Sequence, residues 1–188
     1  MRTFLLVTVL ALAAGPPGCG PAAPPKAAPE KKESAMSFHL TSSAFGNMGA
    51  IPKRHACDGE DISPPLAWTG APAGTKSFAL IVDDPDAPLT TWVHWVLYNL
   101  PAETAALPEN LTAKNLPPGV GEGLNDWKQP GWRGPCPPFG RHRYFHKLYA
   151  LDLVLPALNR PTKAALEKAF AGHVLAQAEL VGTYQRPR

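Results

Sequence analysis

Three short stretches carry side chains whose types and spacing could do chemistry together. "DDPDAP" at 83–88 holds Asp84 and Asp86, "TWVHW" at 91–95 holds His94, and "GPCPPFGRHRY" at 134–144 holds His142 and Tyr144. Taken singly, each has an ordinary explanation: Asp-Pro turns commonly use the Asp side chain to bond backbone groups, and a lone strand histidine is usually structural. Taken together they describe a site. Carboxylates beside histidines favour the protonated imidazole, and histidine already titrates near neutrality. Histidine and tyrosine donors with loop N–H groups would then hold a small anion, with Asp84 and Asp86 behind them fixing the histidine tautomers. Pro135, Pro137 and Pro138 donate nothing but make a stiff apolar rim, so such a site is formed before its ligand arrives. Three sharper chemistries rank lower. No HExxH or paired CxxC spacing supports a metal site in Asp84, Asp86, His94 and His142. A hydrolase using His94 or His142 as general base lacks an obvious serine nucleophile beside them, and a catalytic Cys136 lacks the surroundings that would activate it.

These residues need elements to position them. "SFALIVDD" at 77–84 is an apolar run of strand length, expected to be buried on both faces and ending in the carboxylates. "WVHWVLYNL" at 92–100 follows a Pro-containing turn and reads as its neighbour. A period of two puts Trp92, His94, Val96 and Tyr98 on one face of that strand. The same period in the strand "RYFHKLYALDLVL" puts His142 and Tyr144 together and turns Arg143 away. The clear helix is "TKAALEKAFA" at 162–171, with Thr162 as N-cap and Gly172 as its stop. The expected fold is mainly β and antiparallel, with one or two short helices near the C-terminus.

Composition narrows the function classes. The 188 residues carry 18 Lys and Arg against 15 Asp and Glu, with no basic run longer than Lys31-Lys32, so no nucleic-acid footprint is visible. Residues 1–18 place Arg2 ahead of an apolar run from Phe4 to Ala14, too short to span a bilayer and shaped like an export signal. "PPGCG" looks like a bacterial lipoprotein cleavage site with Cys19 as the lipidated residue, although cleavage near residue 13 is the alternative. Residues 19–36, rich in Pro and Ala, form a tether, and the folded domain is 37–188. The expected place is the bacterial cell envelope, held to a membrane by a lipid anchor. In that oxidising setting Cys57 and Cys136 either pair or stay as two buried thiols. His39, His55, His146 and His173 read as surface or packing residues.

The combination "DPDAP", "HW" and "GPCPPFGRHRY" resembles the phosphatidylethanolamine-binding protein family in its bacterial Raf-kinase-inhibitor-like branch. The likeness also takes in "CDGEDISPPLAW", "LNDWKQPGWRGP" and "GHVLAQAELVGTY", and so nearly all of 37–184. It implies a large antiparallel sheet packed on a smaller one, and a pocket for phosphate-like anions or phospholipid head groups. By motif, the implied ligand-binding positions are Asp84, Asp86, Trp92, His94, Cys136, Pro137, Pro138, His142 and Tyr144. It implies no cofactor and no catalysis. The sequence ends at Arg188, soon after "GTYQ", without the extra C-terminal helix of eukaryotic members, so inhibition of a Raf-like kinase does not carry over. An envelope protease or kinase as inhibited target is the second reading, and pairing as a homodimer is left open.

Overall fold

The computed structural model describes residues 37–187; the expected signal segment 1–18, Cys19 and the expected tether 19–36 lie outside the described residues. Nine strands and one α-helix follow in chain order. They are β1 His39–Thr41, β2 Gly49–Ala50, β3 Leu66–Thr69, β4 Ser77–Asp84, β5 Trp92–Pro101, β6 Ala106–Leu107, β7 Gly121–Glu122, β8 Arg141–Leu151, α1 Lys163–Ala169 and β9 Val174–Gln185. A six-stranded sheet runs in the order β2-β9-β8-β4-β5-β7, and a three-stranded one in the order β1-β3-β6. The long strands pair antiparallel as expected, but the large sheet is mixed, because β2 runs parallel to β9 at Gly49 and Ala50.

Strand β4 occupies the predicted 77–84, and every residue in it is buried, because it lies between β5 and β8 and has a core on each face. On one side Phe78, Leu80 and Val82 meet Trp95, Leu97, Tyr144 and Leu148, and the small sheet covers them with Leu40, Leu66, Trp68 and Leu107. On the other side Ala79 and Ile81 join Val93, Val96, Tyr98 and Leu151 under α1, which contributes Leu166. The fully buried Asp83 faces this second side, where Lys147 Nζ donates to both its oxygens at 2.9 Å and Lys163 Nζ to one at 2.5 Å. A buried carboxylate needs such partners, and these two tie β4 to β8 and α1.

Helix α1 begins where the N-cap predicts: Thr162 Oγ1 accepts from the Ala165 N–H at 3.3 Å. It ends before Gly172, whose φ of +83° turns the chain into β9. The expectation that Trp92, His94, Val96 and Tyr98 share a face fails. Val82 pairs with Trp95 and Asp83 with Val93, which leaves His94 as the extra residue of a bulge. Side-chain alternation reverses across it, so Val93, Val96 and Tyr98 share the helix-covered core.

Candidate functional site

The ends of β4, β5 and β8 meet a loop running from Trp132 to Gly140, and between them lies a cavity of about 250 Å³. Its wall consists of Asp84, Ala87, Pro88, Trp92, His94, Trp127, Cys136, Pro137, Pro138 and His142. Seven of the nine sequence-expected positions are therefore in the wall: Asp84, Trp92, His94, Cys136, Pro137, Pro138 and His142. Asp86 and Tyr144 are not.

Asp84 serves two ends at once. Its Oδ1 accepts the Asp86 N–H at 2.9 Å, which is the capped turn that an Asp-Pro sequence favours. Its Oδ2 accepts from His142 Nδ1 at 2.8 Å, and both side chains are buried. The carboxylate thereby sets the His142 tautomer, with the proton on Nδ1 and Nε2 left for another partner. Asp86 does not do the same for His94. Its carboxylate takes Arg143 Nε at 2.8 Å, Nη2 at 2.7 Å and the Arg143 N–H at 2.9 Å. That fork holds the Asp86 carboxyl below its usual range, chiefly through the side-chain hydrogen bonds from Arg143.

His94 is positioned by backbone. Its Nδ1 lies 2.6 Å from the Arg133 carbonyl, so Nδ1 carries the proton and donates. Only 2% of the residue is exposed, and burial pushes its pKa down from the ordinary 6.5. This corrects the expectation of a histidine held protonated by neighbouring carboxylates: desolvation outweighs the charge of Asp84 at this ring. Tyr144 packs behind it, with ring centroids 5.2 Å apart. Its hydroxyl is buried without a hydrogen-bond partner among the described residues, and burial pushes its pKa up.

The loop is held at several points along its length. The Arg133 N–H donates to the His94 carbonyl at 3.2 Å, the Gly134 N–H to Asp61 Oδ1 at 2.7 Å, and the Cys57 N–H to the Pro135 carbonyl at 3.1 Å. Cys57 and Cys136 form a disulfide, which resolves the pairing in favour of the bond. Closing a loop of 79 residues in this way contributes about 4 kcal/mol in the chain-entropy description. Gly134 is required by close approach: a Cβ there would meet the His55 carbonyl, Asp61 Oδ1 at 2.8 Å and Ala56 Cα at 2.9 Å.

Trp127 was not among the expected site residues. It rides on a turn pinned by the buried Asn125, whose Oδ1 accepts the N–H groups of Trp127 at 3.0 Å and Gln129 at 3.2 Å. The turn is sewn to β5 by Asp126, which exchanges two hydrogen bonds with Val93. Trp127 then stands edge-on to Trp92 and His94, at 5.4 and 5.2 Å between centroids. The Asn-Asp-Trp sequence signals a turn, but nothing local says that this turn faces β5. Of the remaining histidines, His55 and His146 are buried packing residues, and His39 and His173 are exposed. Among the described residues no group of three His, Cys, Asp or Glu could hold a metal ion.

The chain also has known relatives. The phosphatidylethanolamine-binding protein family model matches residues 41–185. A UPF0098 protein of Methanothermobacter thermautotrophicus is 51% identical over 150 residues, covering 79% of this chain and 99% of the relative. A UPF0098 protein of Aquifex aeolicus is 45% identical over 154 residues, covering 79% of this chain and 89% of the relative. The crystal structure of a phosphatidylethanolamine-binding protein homolog from Chlamydia trachomatis superposes with a TM-score of 0.75 at 40% identity, over 80% of this chain and 99% of that one. E. coli YbcL, described as a member of the mammalian family, gives 0.75 at 33% identity over the same shares. Each solved chain is thus matched over almost its whole length, and those two proteins fold with little beyond the matched stretch.

Proposed function

Because the chain belongs to the phosphatidylethanolamine-binding protein family, we propose that its cavity binds phosphate-like anions or phospholipid head groups and performs no chemistry on them. The observation that carries this reading is the pair of histidines in one small cavity, each with Nδ1 bound to the protein and Nε2 left over. In the neutral ring that Nε2 is an acceptor. An anion therefore enters with a proton, either on a ring Nε2 or on one of its own oxygens. Rigid walls of Pro88, Pro137, Pro138 and the disulfide support the reading further, since little ordering opposes binding.

Calorimetric titration of residues 37–188 with phosphate and with phosphoethanolamine tests this. Affinity should fall as pH rises from about 6 to about 8, with net proton uptake on binding. His142→Ala should weaken binding by about tenfold or more, the worth of one charge-assisted hydrogen bond, while its unfolding midpoint shows the fold intact. A pH-independent affinity removes the proton-coupled reading, and saturable binding undiminished in His142→Ala removes the site. Export and anchoring through Cys19 are part of the same proposal, supported by the sequence of residues 1–18 and the tether that follows.

A further inference from the structure

We propose that the mouth of this cavity is a docking surface for an anionic bilayer, with Leu89 and Phe139 inserting into the membrane interface. Leu89 is one residue beyond the cavity-lining Pro88, and Phe139 one beyond the cavity-lining Pro138. They are the most exposed large apolar side chains among the described residues, at 106% and 71%. Scattered apolar residues on a surface need no explanation, but two flanking one cavity do. The Phe139 ring is 6.5 Å from that of His142, so the tip stands directly beside the polar floor. Leu89 is held at φ +75°, an uncommon conformation for a branched residue, while its side chain stays wholly in solvent.

Charge selects the partner. Arg141 is exposed, lies two residues from Phe139, and makes no ion pair among the described residues. Lys128 is 74% exposed, adjoins Trp127 of the wall and pairs with Asp126 at 3.7 Å, while the Arg133 guanidinium pairs with Asp61 at 3.9 Å and lies over the Trp127 ring at 5.6 Å, so among the described residues Arg141 is the unpaired cation of this rim. The carboxylates nearby are mostly committed: Asp84 to His142, Asp86 to Arg143, and Asp126 to the Val93 N–H and Lys128. Apolar tips flanking a cavity walled by two indoles, with the unpaired Arg141 two residues from one of them, match a head-group layer with anionic lipid, where apolar side chains reach the acyl boundary and basic ones meet phosphate. This docking depends on the outer rim and not on what fills the cavity, so it stands or falls separately from the anion site.

The test is co-sedimentation of residues 37–188 with phosphatidylcholine vesicles, with and without roughly a third phosphatidylglycerol. The expected result is association with the anionic vesicles that weakens between about 0.05 and about 0.3 M salt. Leu89→Ser with Phe139→Ser should weaken it by about tenfold or more, and Arg141→Gln by about fivefold. Both tips are exposed, so the double variant keeps its fold and should titrate phosphate as the unaltered domain does. Absence of sedimentation overturns the proposal and leaves the tips to a protein partner. Undiminished vesicle binding in the double variant overturns it as well, and joint loss of phosphate binding would place the tips in the pocket instead.

Discussion

Two histidines, one in the cavity wall and one four residues beyond the wall's His142, illustrate how burial shifts protonation. His94 has a carbonyl on Nδ1 and a pKa depressed by burial, while His146, two residues beyond Tyr144, is fully enclosed between Phe45 and Trp132. Burial pushes His146 from 6.5 to about 4, and its Nε2 has no hydrogen-bond partner among the described residues. The unfolded chain therefore binds a proton that the folded chain refuses between those two values. Stability is complete above pH 6.5 and declines as pH falls toward 4, by roughly 3 kcal/mol over the interval. Denaturation midpoints measured between about pH 7 and about pH 5 should fall in the unaltered domain and change less in His146→Gln. Superposable profiles would show that the ring is protonated in place. The sequence identifies both residues as histidines on strands; it does not reveal that one lines a cavity and the other is fully enclosed.

At the scale of elements, the site exists because one loop is fastened at three points. Residues 132–140 are tied to β5 through His94 and Arg133, to the 55–61 turn through Gly134 and Asp61, and to Cys57 through the disulfide. Prolines limit the loop's conformations, but these attachments decide where it stands. Gly134→Ala tests that claim, because the added methyl has to displace backbone at Ala56 and His55. The expected cost is about 1 to 3 kcal/mol in chemical denaturation, accompanied by weaker phosphate binding. A variant as stable as the parent, with unchanged affinity, would mean that the loop is not positioned by this packing. The same scale explains the failed face assignment on β5. Period-two reasoning assumes an uninterrupted ladder, and the extra residue His94 reverses it, placing Val96 and Tyr98 opposite Trp95 and Leu97.

For the whole molecule, the proposed anchor at Cys19 and the proposed docking of the cavity mouth on a membrane would together make one arrangement, a head-group-binding domain working beside a bilayer. Changing Cys19→Ser in the full chain should move it from the membrane to the soluble fraction of its native envelope, and an unchanged distribution would remove the lipoprotein assignment. What the sequence by itself determined is what depends on local pattern and residue type. The apolar run of β4, the capped helix α1, the Asp-Pro turn, the stiff proline loop and the mainly β class are all legible because burial period and turn chemistry are short-range. Only the tertiary structure decided the rest: that β2 joins the large sheet in parallel, that Asp86 answers to Arg143 instead of a histidine, that Trp127 closes the cavity, and that burial lowers the pKa of His94. Each of these follows from contacts between segments far apart in the chain, whose energies depend on which neighbour removes water from which group.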